Sequence, residues 1–334
     1  MPGENLPLEV NGPARTQPGL VSVIVPCYRQ SEFLPQAIKS ILGQTYSDIE
    51  AIVVDDGSPD ETGSIVAHYP QIRYLRQENQ GLAAARNAGF HLSAGSYVIF
   101  LDADDQLTPN AVKDHLSCFA DHPDAGFVVG DIDHVSCDGA HMGSPRWPLL
   151  HHGFYRELLR ANHVANTIAV MFKRKVLQGV GGFCREFNPA EDYHLLLSAA
   201  RLFPSAHHRN IVALYRRHGA SMSRQGLSML TAMDRVMRGQ RAVVLGDPQL
   251  EAAWEEGDAH WRDRFGKTAI REFLLQLSRF RFASAAKTFL GVTSHLRGRI
   301  FLLPWKFRGR AFALARQKMA LRKGPPTDRR SASS

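Results

Sequence analysis

A chain of 334 residues with 44% hydrophobic and 22% charged side chains has enough apolar mass for a substantial core, and its length favours one large domain with appendages over two equal ones. Four cysteines, Cys27, Cys118, Cys137 and Cys184, lie far apart without CxxC spacing, so neither a zinc knuckle nor a disulfide framework is suggested and a reducing compartment is the default expectation. The net charge of +8 is concentrated at one end: from Arg297 onward there are 11 Lys or Arg against one acid, Asp328, leaving −2 for everything before.

Met1 to Gly19 carries prolines and charges of both signs without an apolar block, and reads as a disordered leader rather than a secretion signal. The first strand is Val21 to Val25, a β-branched run ended by Pro26. Phe33, Leu34, Ala37, Ile38, Ile41 and Leu42 then recur at helical spacing, with Pro35 in the first turn and Gly43 as the stop. Ala51 to Val54 is a second strand, breaking into the turn-rich Asp55-Asp56-Gly57-Ser58-Pro59, and a helix follows from about Asp60 to His68. Strand-like Ile72 to Leu75, the Ala-rich helical stretch Leu82 to Leu92 and the strand Tyr97 to Leu101 continue the alternation. That pattern predicts a parallel sheet covered by helices, in which ligands bind beyond the carboxyl ends of the strands.

Regularity loosens after Asp105, with strands expected at Phe127 to Val129, Ile168 to Phe172 and Ile211 to Tyr215 and a helix from Tyr193 to Leu202. From about Ser223 the sequence turns helical, with Phe273, Leu274, Leu277, Phe280 and Phe282 as an imperfect amphipathic stripe. In the basic tail, Ile300, Phe301, Leu302, Leu303, Trp305, Phe307, Phe312 and Leu314 are interleaved with the charges. This pattern favours an anionic membrane surface over a merely solvated basic end, and ranks nucleic acid third, since no binding motif accompanies the charge. No segment offers the roughly 18 unbroken apolar residues that a membrane span needs, so the chain is expected in the cytoplasm, peripheral on the membrane.

Chemistry concentrates where the strands end. Asp102-Ala103-Asp104-Asp105 sets three carboxylates after an apolar strand, and their repulsion calls for a positive partner. A hard divalent cation, Mg²⁺ or Mn²⁺, is the natural one, held by one or two carboxylates with phosphates and waters. A helix cap at Asp105 is the competing structural role, and an EF-hand is excluded by the missing Gly and Glu. Asp55-Asp56 alone fits any strand-to-helix turn.

Together with Val21 to Tyr28, Asn79-Gln80-Gly81-Leu82-Ala83-Ala84-Ala85-Arg86-Asn87 and Asp102 to Asp105, however, this block resembles the ordered motifs of the inverting family 2 glycosyltransferases. The resemblance covers about Val21 to Ser223 and implies an α/β fold of GT-A type, a nucleotide-binding sheet flanked by helices. It implies that Pro26 and Tyr28 flank a nucleotide base, that Asp56 hydrogen-bonds it, and that Asn79 and Arg86 fix base, ribose or phosphate. Tyr28 and Arg86 also admit plain packing or a salt bridge. Asp102 and Asp104 would hold ribose and metal-bound diphosphate, with Asp105 a competing metal ligand.

Gly181-Gly182-Phe183 followed by Glu191-Asp192-Tyr193-His194-Leu195 resembles the acceptor-side block, which makes Asp192 the general base and lets Glu191 position the acceptor; the residue-level alternative is acidic charge at a helix N-terminus. Arg216-Arg217-His218 resembles the closing block, with His218 a metal ligand or phosphate donor. The Gln-x-x-Arg-Trp block of the processive synthases is missing, which favours adding one or a few sugars. The expected organisation is a leader at 1–19, a catalytic domain at 20–222 with its donor half to about 125 and acceptor half from 126, a helical extension at 223–296 and the basic amphipathic tail at 297–334. The expected partners are a nucleotide-diphospho-sugar donor, a glycan or lipid-linked acceptor and an anionic membrane surface met through the tail, with no nucleic acid. The alternatives are a sugar nucleotidyltransferase, which would carry a Gly-rich basic loop where Pro26-Cys27-Tyr28 stands, and a non-catalytic sugar-nucleotide-binding protein on the membrane.

Overall fold

The computed structural model describes residues 16–146, 153–164, 166–217 and 225–296. Among the described residues nine strands form one sheet: β1 (Gln17–Cys27), β2 (Ile49–Asp55), β3 (Ile72–Arg76), β4 (Gly95–Phe100), β5 (Gln106–Leu107), β6 (Phe127–Val135), β7 (His141–Gly143), β8 (Val170–Lys173) and β9 (Ser205–Arg216). The first helices are α1 (Leu34–Leu42), α2 (Thr62–Val66), α3 (Leu82–Leu92) and α4 (Ala111–Asp121). They are followed by α5 (Phe154–Arg160), α6 (Arg174–Val180), α7 (Glu191–Leu202), α8 (Gly226–Val244), α9 (Pro248–Ser278) and α10 (Phe282–Leu296).

The sheet order is β3-β2-β1-β4-β8-β6-β9-β5, with β7 beside β6. In its first half β1 lies parallel to β2 and β4, and β2 parallel to β3, as the alternation predicts. The second half departs from an all-parallel sheet. Strand β8 runs antiparallel to both β4 and β6, and β5 antiparallel to β9. These reversals rest on long-range pairing that local periodicity does not encode. Strand β1 begins at Gln17, ahead of the residue where the sequence reading ends its leader, and α2 is shorter than the helix read from Asp60 to His68. Helices α4, α5 and α6 fall where no helix was read.

Burial explains the continuous apolar runs. Val23, Ile24, Val25, Ile52, Val53, Val54, Val98 and Ile99 are fully buried, as expected of parallel strands covered on both faces. Each such side chain contributes about 1.5–3 kcal/mol through its removal from water. Helix α3 lies close on the sheet: a Cβ at Gly89 would come within 2.3 Å of Ile24 Cγ2 and 3.1 Å of Val54 Cγ2. This contact fixes the distance between α3, which carries Arg86, and the strands that end at the acidic loops.

The described residues fall into two compact units, one of residues up to 217 together with 235–260, the other of 225–234 together with 261–296. Helices α8 and α9 therefore contribute to both. In the first unit Tyr155 Oη donates to Gln240 Oε1 at 2.8 Å, Arg160 Nε donates to Glu256 Oε2 at 2.8 Å and Trp254 Nε1 donates to the Met237 carbonyl at 2.6 Å. In the second unit Arg262 donates to Asp234 Oδ1 at 2.6 Å, and Ala269 and Val292 are buried with Leu227 and Ile270 against them. Of the expected stripe Phe273, Leu274, Leu277, Phe280 and Phe282, Phe273 is half-buried with its ring 5.6 Å from that of Phe289, while the other four side chains are exposed. No described helix is long and apolar enough to cross a membrane.

Because Gly89 has no room for a methyl group, Gly89→Ala is expected to destabilise the protein by about 1–3 kcal/mol through overpacking against Ile24. Urea denaturation measures this, and an unchanged midpoint would contradict the tight α3–sheet contact.

Candidate active site

Three acidic segments stand at the carboxyl edge of the sheet or beside it: the end of β2, the loop after β4 and the start of α7. At the end of β2, Asp55 and Asp56 are both buried. Asp55 shapes the turn, accepting the Ser58 amide at 2.7 Å and the Tyr74 hydroxyl at 2.6 Å, with Arg76 at 3.5 Å. Asp56 reaches across to the loop before α3. Its Oδ1 accepts Gln77 Nε2 at 2.7 Å and the Gln80 amide at 2.9 Å, and its Oδ2 accepts the Gly81 amide at 2.8 Å. A carboxylate has about four accepting positions, so Asp56 spends three on the loop that carries exposed Asn79 and keeps one. Gly57 permits the approach: its φ is +74°, and a Cβ there would lie 2.9 Å from the Asn79 amide nitrogen. Pro26 is buried at the end of β1, while the Tyr28 ring is 41% exposed with the Arg29 guanidinium 5.2 Å from its centroid.

After β4, Asp102 and Asp104 are partly exposed and Asp105 is buried. Asp105 Oδ1 accepts the Arg216 amide at 2.7 Å, but its Oδ2 is buried with no hydrogen-bond partner. Burial, then the charges of Asp104 and Asp102, push its carboxyl well above the usual carboxylate range. Arg216 is also buried, and its guanidinium is spent on structure. It donates to the carbonyls of Asp104 at 3.0 Å, Ser136 at 3.2 Å and Cys137 at 2.6 Å, and to Gln36 Oε1 at 2.6 Å. Arg216, the first residue of the closing block, is thus committed to the scaffold and not open to a phosphate. His218 lies outside the described residues.

Arg86 stands at the centre of the site. Its guanidinium, 2% exposed, donates through Nη2 to Asp102 Oδ1 at 2.7 Å and through Nη1 to Glu191 Oε1 at 3.0 Å. It also lies 5.0 Å from the centroid of the Phe183 ring. The salt-bridge alternative for Arg86 is therefore the arrangement present, and it ties Asp102, after β4, to the acidic pair at the start of α7. Asn166 Nδ2 donates to the other oxygen of Asp102 at 3.0 Å, a contact that no sequence motif announces. Asn87, one residue beyond Arg86, clamps the Gly-Gly-Phe segment: its side chain donates to the Phe183 carbonyl at 2.8 Å and accepts the Phe183 amide at 2.9 Å. A Cβ at Gly182, whose φ is +71°, would lie 2.7 Å from Asn87 Oδ1.

Glu191 and Asp192 occupy the first turn of α7, where the helix dipole favours negative charge. Burial nevertheless pushes Glu191 up to about 7, against the lowering influence of Arg86, with Asp192 adding repulsion. Asp192, partly exposed, is also raised, again by burial first, with Arg86 opposing and Asp102 contributing. Its Oδ1 accepts the Tyr193 amide at 2.7 Å. A partly exposed carboxylate with a raised proton affinity is suited to accept a proton from a bound hydroxyl. Among the described residues no three His, Cys, Asp or Glu side chains form a ready ligand set for a metal ion. The unpartnered buried oxygen of Asp105 beside Asp104 and Asp102 fits the sparser carboxylate donation that Mg²⁺ or Mn²⁺ accepts when phosphates and waters complete the shell.

Residues 22–181 match the family described as glycosyl transferase family 2. This part of the chain belongs to that family. Among curated proteins, the chain is 29% identical to an Escherichia coli chondroitin synthase over 209 residues, covering 61% of this chain and 30% of that one. It is 45% identical to an uncharacterized glycosyltransferase, EpsJ, of Bacillus subtilis over 93 residues, covering 27% of each. The chain thus spans less than a third of the length of these relatives. Among solved structures, S. aureus TarS 1–349 in complex with UDP is similar with a TM-score of 0.54 at 19% identity, over 76% of this chain and 72% of that one. A Pyrobaculum calidifontis mannosyltransferase in complex with GDP-Man and Mn²⁺ matches with a TM-score of 0.54 at 19% identity, over 95% of this chain and 84% of that one. The GT-A fold is therefore the fold of this protein.

The elevated Glu191 makes a prediction about pH. A buried carboxyl raised to about 7 contributes most to stability while protonated, and that contribution is lost as pH rises through the folded value. Glu191→Gln removes the ionisation, so its stability relative to the parent should increase from about pH 4.5 to about pH 7 and then level off. Chemical denaturation across that range checks it. A parallel pH dependence in both proteins would contradict the assignment.

Proposed function

We propose that the protein transfers a sugar from a nucleotide-diphosphate donor, of which a UDP-sugar is the leading candidate, to an acceptor hydroxyl with inversion, in the assembly of a cell-surface polysaccharide or glycolipid. The observation that carries this reading is the Arg86 bridge, which joins the acid-rich loop after β4 to the Glu191-Asp192 pair at the start of α7. Membership of glycosyl transferase family 2, and neighbours whose structures hold UDP or GDP-Man, support it.

In this mechanism Tyr28 offers an exposed ring for a base to stack on, next to the loop that Asp56 holds in place. Asp56 offers its remaining acceptor position to the base, and Asn79 lies on the same loop. Asp102 is oriented by Arg86 and Asn166 to meet the ribose, with Asp104 and Asp105 as the residues that would hold Mg²⁺ or Mn²⁺. A divalent cation, when bound, offsets the charge that develops on the departing diphosphate. Asp192 removes the acceptor proton as the new glycosidic bond forms, and the nucleotide diphosphate leaves from the opposite face of the sugar carbon. Glu191, fixed by Arg86, helps seat the acceptor. His218 remains a proposed metal or phosphate contact, and the basic tail a proposed peripheral membrane anchor on the cytoplasmic side. Relatives that include a chondroitin synthase support transferase over nucleotidyltransferase.

Two experiments test this. Asp192→Asn keeps the shape of the site and removes the base, so donor affinity should survive while transfer falls roughly 10²–10⁴-fold. Transfer at the parent rate would remove Asp192 from its role. Separately, calorimetry should show UDP binding strongly only with Mn²⁺ or Mg²⁺, since two phosphate charges otherwise face three carboxylates; EDTA should abolish the tight binding and Asp104→Ala should mimic it. Equal affinity with and without metal would refute the metal assignment.

A further inference from the structure

We infer that the hairpin formed by the end of α9 and α10 is a docking surface for anionic phospholipid, built from a basic notch set among exposed apolar side chains. Between Leu274 and Leu290 the second unit exposes Leu275 at 53%, Phe280 at 63%, Phe282 at 63%, Phe289 at 46% and Leu290 at 67%. Scattered exposed apolar residues need no explanation, but this density along one hairpin does. The turn itself places an aromatic ring at its tip. Phe280 has a φ of +58°, a left-handed conformation unfavourable for a bulky side chain, and the reversal is closed by the Phe280 amide on the Leu277 carbonyl at 3.0 Å and the Arg281 amide on the Gln276 carbonyl at 2.9 Å.

Charge identifies the partner. A depression of about 330 Å³ on this hairpin is lined by Arg271, Arg279 and Arg281 together with Glu272, Leu275 and Gln276. The one acid is already engaged, since Glu272 accepts the Leu227 amide at 3.3 Å and Gln276 Nε2 at 3.2 Å. Among the described residues, none of the three arginines forms an ion pair with it or with any other acid. Guanidinium groups suit phosphate oxygens. The sequence extends the pattern: the 55 residues from Phe273 to Thr327 contain 12 Lys or Arg and no Asp or Glu, in a chain with 32 acids. A protein partner would ordinarily be met by mixed charge, whereas a surface that is cationic, with Glu272 as its single and already engaged acid, and studded with Phe and Leu matches a leaflet of anionic headgroups over hydrocarbon. The notch receives a lipid phosphate and the Phe280 and Phe282 rings enter at headgroup depth. This hairpin is separate from the tail, and the inference rests on the membrane reading above only for the kind of partner.

The test uses the full-length protein and co-sedimentation with vesicles of phosphatidylcholine, with and without phosphatidylglycerol. The parent should bind only the anionic vesicles. Phe280→Ser/Phe282→Ser and, separately, Arg279→Ser/Arg281→Ser should each weaken that binding by roughly tenfold or more while the tail stays intact. All four side chains are exposed, and because the Phe280 and Phe282 rings meet edge to face at 6.2 Å, the melting temperature of each double variant is measured beside its vesicle binding. If either variant binds as tightly as the parent, or the parent binds both kinds of vesicle equally, the inference fails. It also fails if the parent self-associates through this surface and ignores vesicles. UDP binding with Mn²⁺, measured on the same proteins, keeps the two readings apart, because its loss in the parent would count against the transferase and leave the lipid result standing.

Discussion

The site is organised by one buried cation. Arg86 is withdrawn from water, which is tolerable only because its guanidinium meets Asp102 on one side and Glu191 on the other. Those partners lie in segments far apart in the sequence, one after the last parallel strand of the first half and the other at the start of α7. Satisfying Arg86 therefore sets the spacing between the loop expected to face the donor and the helix turn expected to face the acceptor. The same guanidinium opposes the rise in proton affinity that burial imposes on Glu191 and Asp192. Charge neutrality at this point and the geometry of the candidate reaction are one constraint.

Around it, side chains commonly associated with ligands hold the scaffold. Asp55 closes a turn and Asp56 grips the backbone before α3, so the acidic pair after β2 holds two loops in place while Asp56 keeps one acceptor position unspent. Arg216 anchors the Asp102 to Asp105 loop through carbonyls and supplies the amide that meets Asp105. Asn87 and Gly182 interlock so that the Gly-Gly-Phe segment places Phe183 beside Arg86. The carboxylates are thereby kept in position ahead of any ligand, which is the condition for electrostatic catalysis at low reorganisation cost.

The second unit follows a different logic. Its small core at Ala269 and Val292 holds the helices together but leaves the apolar side chains toward the α9–α10 turn exposed. A stripe of Phe and Leu at near-helical spacing looks the same in sequence whether it meets a core or a partner. Exposure separates the two cases, and here it assigns the stripe to the outside.

The sequence by itself determined the elements whose residues carry a local signal. The buried strands β1, β2 and β4 appear as β-branched runs, α1 as a helical apolar repeat stopped at Gly43, and α3 as an Ala-rich stretch whose limits agree with the structure. The acids after β2 and β4 were legible because polar clusters at strand ends are unusual and because their order resembles a family. Tertiary structure decided what depends on distant residues meeting: the antiparallel placement of β8, the Asn166 contact to Asp102, and the exposure of the α9–α10 apolar residues. It decided the position of Arg86 as well. Sequence marked that arginine as one of several plausible contacts, but a buried charge acquires its role from the carboxylates the fold brings to it, and those lie 16 and 105 residues away.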